Sequence, residues 1–107
     1  MAYDVKLLNL AESDIDDICR YLSQFYPGTP SKFLDTLDES FNNVSFNPYM
    51  YPKYKYNKEY RKIVADDYLV FYKIDKDNNL VKVYRILHGM RNISTIIEKL
   101  KQLPEKM

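Results

Sequence analysis

The sequence predicts an α+β protein of two layers, in which an antiparallel β-meander is covered on one face by an N-terminal αα-hairpin. Three observations support this prediction. Two amphipathic helical patterns occupy the first half of the chain, a turn-rich segment follows them, and three strand patterns then lie close together. The element order is β-α-α-β-β-β-α. A chain of 107 residues without internal repeats is expected to form one domain, residues 1–107.

The first elements are a short strand and an amphipathic helix. Tyr3 to Leu7 alternates apolar and polar residues, which is the period of a strand. The first helix is predicted to begin at Ser13, whose hydroxyl is a favourable N-cap for an acidic first turn. Its apolar stripe comprises Ile15, Ile18, Cys19, Leu22 and Phe25. Cys19 is therefore expected in the core, and a lone cysteine excludes an internal disulfide.

A second helix completes the predicted hairpin. Tyr26-Pro27-Gly28 ends the first helix, and Thr29-Pro30 begins the next, because proline is tolerated in a first helical turn. The second apolar stripe comprises Leu34, Leu37, Phe41 and Val44. Asn47-Pro48 ends this helix.

Residues 47–59, NPYMYPKYKYNKE, form a long connection that we call the Tyr/Lys loop. Long loops often carry function, and lysines bind phosphates while tyrosines stack on bases. The candidate residues for binding a nucleic acid or another target are Lys53, Lys55, Lys58, Tyr54 and Tyr56. The alternative is an ordinary loop whose tyrosines pack on its own lysine stems.

Three strands and a last helix complete the chain. The strands are Tyr60 to Ala65, Tyr68 to Asp75 and Leu80 to His88, with a turn at residues 75–79. The last helix is predicted over Ile93 to Leu103. Its apolar residues either dock on the sheet of this chain or meet a partner's helix, and Ile93, Ile97 and Leu100 are the candidates for that contact.

Strand alternation predicts which residues of the final strand share a face. Val81, Val83, Arg85 and Leu87 should face the helical hairpin, whereas Lys82, Tyr84, Ile86 and His88 should face the other side. That second face is expected to be open to water or a partner, so Lys82 and Tyr84 join the binding candidates. Arg85, among apolar neighbours, is expected to pair with a carboxylate such as Asp14 or Asp17.

Charge is distributed unevenly although the net charge is only +1. Residues 1–50 carry three bases and eight acids, whereas residues 51–107 carry thirteen bases and seven acids. The basic half could attract nucleic acid or an acidic protein, or merely be a solvated face. The sequence shows neither a secretory signal nor a membrane-spanning run, so a reducing cytoplasm is the expected compartment.

His88 is the single histidine, and it lies between two arginines at the HGMR corner. Histidine can act as a general acid or base, although a lone histidine is more often a strand-end hydrogen-bonding group. Neither a metal site nor a cofactor is expected, because a second histidine, paired cysteines and nucleotide-binding motifs are lacking.

The chain resembles the RelE/ParE toxin superfamily along nearly its whole length. The resemblance lies in the element order and in five sequence segments: AESDIDDI at 11–18, Tyr21-Leu22, YRKIV at 60–64, DYLVFYKI at 67–74 and VYRILHGMRN at 83–92. It implies the toxin of a type II toxin–antitoxin pair and an acidic cognate antitoxin that folds on binding.

The resemblance implies two alternative activities. RelE-like members cleave mRNA on the ribosome, and ParE-like members are linked to inhibition of DNA gyrase without nuclease chemistry. Lys53, Lys55, Lys58 and Arg91 match basic positions of the nucleases. A ribonuclease of this type needs a base, a phosphate-binding cation and an acid, and the residues that this chain could offer are His88, Arg91 and Arg61. Leu69, however, replaces an arginine of that pattern, and no aromatic residue follows Tyr84. The corner sequence is closer to ParE-like members, so a gyrase-directed toxin is the first hypothesis. A ribonuclease is the second, and an inactive relic that only binds antitoxin is the third.

Overall fold

The computed structural model describes residues 2–25 and 27–100, and its elements follow the predicted order. The elements are β1 (Asp4–Leu7), α1 (Asn9–Leu22), α2 (Thr29–Phe46), β2 (Arg61–Ala65), β3 (Tyr68–Asp75), β4 (Leu80–His88) and α3 (Ile93–Leu100). The α+β class is therefore confirmed. Leu103, the predicted end of the last helix, lies outside the described residues.

The four strands form one mixed sheet in the order β1-β4-β3-β2. β2, β3 and β4 make the predicted antiparallel meander. β1 adds at the edge in parallel with β4, from the Asp4–Leu80 pair to the Leu7–Val83 pair. Because β1 is so short, the second half of β4 extends beyond it with no strand on that side.

Helix α1 begins one turn earlier than predicted. Its N-cap is Leu8, which has extended backbone angles and makes no side-chain cap, so the expectation of a Ser13 cap is wrong. The chain enters the helix immediately after β1, and Leu8 is buried beneath the sheet. Asp14 thus lies within the helix and is buried against the sheet instead of lying in the first turn.

The apolar stripes of the hairpin are confirmed except at two positions. The helical residues of the core on this face include Ala11, Phe33, Leu37 and Val44, with Ile15, Ile18, Cys19, Leu22 and Phe41 packed against them. Leu34 and Phe25 are exposed instead. Phe33 takes the place of Leu34, since it lies one turn before Leu37 and packs on Tyr68 with ring centroids 4.9 Å apart.

A β-bulge corrects the predicted faces of β4. Phe71 pairs with Arg85 and Tyr72 pairs with Val83, so Tyr84 is an extra residue in the strand. Val81 and Val83 face the hairpin as predicted, but beyond the bulge the alternation shifts by one residue. Ile86 consequently joins the hairpin-side core and Leu87 the opposite one, the reverse of the prediction for both. His88 shifts with Ile86, so it lies opposite Tyr68 on the side of α1, and the expectation that it faces away from the hairpin is wrong.

The second face of the sheet is covered, so the expectation of an open face is wrong. A second core on this face comprises Leu8, Tyr54, Tyr60, Phe71, Tyr84, Leu87, Ile93, Ile97 and Leu100. Helix α3 and the Tyr/Lys loop supply its outer layer. The reason is hydrophobic: the bulged meander places large apolar side chains on both faces, and each face needs a cover.

Candidate functional site

A cleft of about 310 Å³ opens between α1 and the end of β4, and we call it the α1–β4 cleft. Its lining residues are Asp14, Asp17, Ile18, Tyr21, Tyr68, Ile86, His88 and Arg91. The four residues from α1 follow the i, i+3, i+4, i+7 spacing of one helix face. The cleft therefore unites a helix face with the corner that carries the histidine.

Asp14 ties the two walls of this cleft together. Its carboxylate accepts hydrogen bonds from Arg85 Nε at 2.7 Å and Arg85 Nη2 at 2.8 Å. It also accepts one from the backbone N–H of Ile86 at 2.9 Å, which has no strand partner because β1 ends before it. The predicted pairing of Arg85 with a carboxylate of α1 is confirmed, and of the two candidates Asp14 and Asp17 the partner is Asp14. Asp14 serves as a surrogate strand edge, which fixes the end of β4 against α1.

His88 is held in a defined orientation at the end of β4. Its Nδ1 accepts a hydrogen bond from the N–H of Met90 at 3.1 Å, so in the neutral ring the proton lies on Nε2. The ring meets Tyr68 edge-on, with centroids 5.4 Å apart. The corner is fixed further by a bond from the Gly89 N–H to the carbonyl of Asp67 at 2.9 Å. Only Nε2 of His88 remains to serve a ligand.

Arg91 completes the corner as an exposed cation. Its N–H donates to the carbonyl of His88 at 3.0 Å, which closes the turn. In the described part of the chain, no hydrogen bond or ion pair engages its guanidinium group. Asp17, the acid on the facing wall, pairs with Arg20 at 3.1 Å instead. The structure thus brings His88 and Arg91 into one cleft, as a shared site requires.

Arg61, the third candidate for catalysis, lies elsewhere. Its partner on β3 is Tyr72, whereas the partner of His88 is Tyr68. That offset of four residues corresponds to about 13 Å along the strands, with two strand spacings of about 5 Å across them. The Arg61 guanidinium also donates to the carbonyl of Tyr51 at 2.7 Å. It anchors the Tyr/Lys loop and does not reach the cleft.

The Tyr/Lys loop divides into buried and exposed residues. Tyr54 is buried, with its ring edge-on to Phe71 at 5.1 Å, and its N–H bonds the carbonyl of Tyr60 at 2.8 Å. This burial raises the pKa of the Tyr54 phenol. Lys53, Lys55, Tyr56 and Lys58 are exposed. Lys55 Nζ lies 4.8 Å from the centroid of the Tyr56 ring, the self-packing expected of an ordinary loop.

Lys82 and Tyr84 are less accessible than the sequence predicted. Tyr84 is only 7% exposed and packs edge-on against Tyr60 at 5.2 Å. Lys82 is half-buried, and its Nζ lies 4.0 Å from a carboxylate oxygen of Asp75. Lys73 Nζ lies 5.1 Å from the centroid of the Tyr84 ring. These side chains build the second face of the sheet.

The three apolar residues proposed for antitoxin contact lie inside the second core. Ile93, Ile97 and Leu100 are all buried, and Ile97 is only 1% exposed. In this structure α3 therefore docks on the sheet of its own chain. A partner can reach these residues only by displacing the helix.

Sequence reasoning missed the contribution of Tyr21 and Tyr68 to the cleft. Tyr21 follows Asp14 and Asp17 at helical spacing, and this polar line beside the apolar stripe was the available signal. Tyr68 could be placed only through its register opposite His88. Burial, with the neighbouring Tyr21 and Asp67, raises the pKa of its phenol, so Tyr68 forms a neutral wall.

The described residues contain no group of three or more His, Cys, Asp or Glu side chains placed to hold a metal ion. Among the helices of residues 2–25 and 27–100, none has the length and apolar character needed to cross a bilayer.

The sequence model for the ParE toxin of the type II toxin–antitoxin system parDE matches residues 5–93. No curated protein matches the chain in sequence. A mutant of the Escherichia coli toxin RelE in its free state is 16% identical, with a TM-score of 0.68, covering 97% of this chain and 100% of that one.

Two further structural relatives come from toxin–antitoxin systems. The chromosomal ParDE system of Pseudomonas aeruginosa is 13% identical, with a TM-score of 0.68, covering 81% of this chain and 96% of that one. The RelBE2 complex of Mycobacterium tuberculosis is 18% identical, with a TM-score of 0.60, covering 82% and 99%. At these identities the likeness establishes the fold.

Proposed function

Since this chain belongs to the ParE toxin family of type II toxin–antitoxin systems, we propose that it arrests growth by binding a protein target such as DNA gyrase. A cognate antitoxin neutralises it. The target lies in the cytoplasm, so the toxin acts there. This mode of action needs a shaped surface and no chemical step.

The observation that carries this proposal is the separation of the three candidate nuclease residues. A ribonuclease of this fold needs a base, a phosphate-binding cation and an acid around one scissile bond. His88 and Arg91 share the α1–β4 cleft, but Arg61 is bound to the Tyr51 carbonyl, about 13 Å further along the strands and two strands away. Their separation favours a binding protein over a nuclease.

The test is inducible expression with two readouts from the same culture. His88→Ala should leave growth arrest largely intact, because the proposed activity uses no acid or base. Arrested cells should show gyrase-type DNA damage, while the 5′ ends of translated mRNAs stay unchanged. A matched control is Lys76→Ala, an exposed residue in the β3–β4 turn. Loss of arrest in His88→Ala alone would contradict the proposal.

A second candidate function is a ribosome-dependent endoribonuclease. It is favoured by the orientation of His88, whose Nε2–H is left to donate to a leaving oxygen in the same cleft as the Arg91 cation. New cleavage ends within codons, lost in both His88→Ala and Arg91→Ala, would establish this alternative. Growth arrest with intact mRNA would refute it.

The proposed antitoxin contact involves α3. Ile93, Ile97 and Leu100 dock in an apolar groove of the sheet that an amphipathic helix of the antitoxin would also fit. Displacement of α3 would expose this groove. Co-expression with the neighbouring small open reading frame tests it: a complex should form, and α3 amides should lose hydrogen-exchange protection in it. A complex in which α3 remains protected would refute displacement.

A further inference from the structure

We propose that the α1–β4 cleft binds a short peptide segment in which a carboxylate lies next to a large apolar side chain. The carboxylate is received by Arg91 and by Nε2 of His88, and the apolar side chain packs on Tyr21 and Ile18. This inference rests on the proposed antitoxin partnership and names the chemistry of one contact within it.

The first argument is that the cleft has one unneutralised positive charge. The two acids of its walls are both paired, Asp14 with Arg85 at 2.7 Å and Asp17 with Arg20 at 3.1 Å. The Arg91 guanidinium has no hydrogen-bond or ion-pair partner among the described residues. One surplus cation is suited to one carboxylate, which a guanidinium group can bind through two hydrogen bonds.

The second argument is that the surroundings disfavour a nucleic acid. α1 presents Asp14 and the exposed Asp17 in the wall of the cleft, and the exposed Asp67 lies beside the corner, where its carbonyl accepts the Gly89 N–H. A nucleic acid strand would bring successive phosphates close to these acids, at a repulsive cost for each. A peptide brings one carboxylate in place of a row of phosphates and meets that cost once, so the charge pattern favours a protein partner.

The third argument is the apolar surface around the cation. Ile18, Ile86 and the Tyr68 ring line the cleft. At its rim Tyr21 is 55% exposed and meets the exposed Phe25 edge-on, with ring centroids 5.2 Å apart. Exposed aromatic rings beside an arginine are the composition of a peptide-binding hot spot. The apolar rim supplies the area that the peptide's apolar side chain buries, and Arg91 fixes the orientation of the peptide by binding its carboxylate.

The test is an NMR titration of the purified full chain with two matched peptides. One is acetyl-Gly-Leu-Asp-Phe-Gly-amide, and the other replaces its Asp with Asn. Amide shifts at residues 17–21 and 86–91 should saturate with the Asp peptide. The Asn peptide should bind about tenfold more weakly, the expected effect of losing one charge-assisted contact.

Variants identify the groups responsible. Arg91→Gln should remove the preference for the Asp peptide, and Tyr21→Ala should weaken both peptides equally. Lys76→Gln, an exposed residue at the opposite end of the β3–β4 hairpin, is the control and should bind like the parent chain. Arg91 makes no described ion pair, so the spectrum of its variant should report an intact fold.

Three results would overturn the inference: equal binding of the two peptides, no saturable shift in the cleft, or tighter binding of a hexathymidine oligonucleotide at the same amides. A second measurement, capture of the antitoxin by the parent chain, distinguishes failure of the cleft inference from failure of the proposed partnership. If the antitoxin is captured but the peptides fail, only the cleft inference falls. If the peptides bind as expected but no antitoxin is captured, the partnership falls.

Discussion

Replacing Asp14 by alanine should be among the most destabilising single changes in this protein. The side chain is in a residue only 7% exposed, and it accepts three hydrogen bonds of 2.7, 2.8 and 2.9 Å. Its removal leaves the Arg85 guanidinium and the Ile86 N–H without a hydrogen-bond partner in a largely dry environment. Removing one partner of a buried ion pair lowers the free energy of unfolding by about 3–5 kcal/mol. That range includes the cost of leaving the other charge buried without a partner.

The matched control is Asp17→Ala in the same helix. Asp17 also forms an ion pair, with Arg20, but its side chain is 72% exposed. An exposed pair of this kind contributes less than about 1 kcal/mol because water and salt screen it. Urea unfolding, followed by far-UV circular dichroism, should therefore give similar m-values for the two variants and very different midpoints.

A double variant separates charge burial from packing. Asp14→Leu with Arg85→Met removes both charges and keeps apolar volume, so it should recover much of the free energy of unfolding lost in Asp14→Ala. The unpaired Ile86 N–H should keep the recovery incomplete, by about 1–3 kcal/mol. If Asp14→Ala lowers the free energy of unfolding no more than Asp17→Ala does, the proposed role of Asp14 as a surrogate strand edge is refuted.

Three further changes test the second core, the loop anchor and the β3–β4 turn. Ile97→Ala should lower the free energy of unfolding by about 2–5 kcal/mol, because the side chain is fully buried; exposed Thr95→Ala on the same helix should stay near the parent value in the same urea titration. Tyr72→Phe should cost about 1 kcal/mol, because it removes a 2.6 Å hydrogen bond to a loop carbonyl; an unchanged thermal midpoint would refute this. Hydrogen bonds from Asn78 lower the pKa of Asp75 below 3.8, so its contribution is complete above that value and is lost as the pH falls through the lowered pKa. Asp75→Asn should therefore flatten the acid limb of the stability–pH curve, and an identical curve would contradict the assignment.

Local patterns predicted the elements well because they depend on neighbours in the chain. β3 and β4 begin and end at the predicted residues, and the helical hairpin ends at the predicted Asn47-Pro48. The pairing of Arg85 with Asp14 was also predictable, since an arginine on an apolar strand needs a carboxylate. Asp14 is 71 residues away, but the predicted layer of helices narrowed the choice.

The errors arose where a distant part of the chain decided the outcome. The bulge at Tyr84 depends on how β4 pairs with β3, and no local pattern encodes it. It exchanged the faces of Ile86 and Leu87. The start of α1 at Asn9 depends on the burial of Leu8 under the second core. The N-cap preference of Ser13 was the weaker influence, because a cap contributes about 1 kcal/mol and burial of the Leu8 side chain contributes more.

Residue patterns along the chain predict the class of fold, the order of its elements and the charged corner at His88 and Arg91. These follow from periodicity and from residue chemistry, which act over a few residues. Three further features depend on how distant segments pack together. α3 and the Tyr/Lys loop cover the second face, Arg61 lies far from His88, and Tyr21 faces the corner across a cleft. Strand register and helix docking set these distances, because they join residues that are remote in the chain and become neighbours only when both cores close.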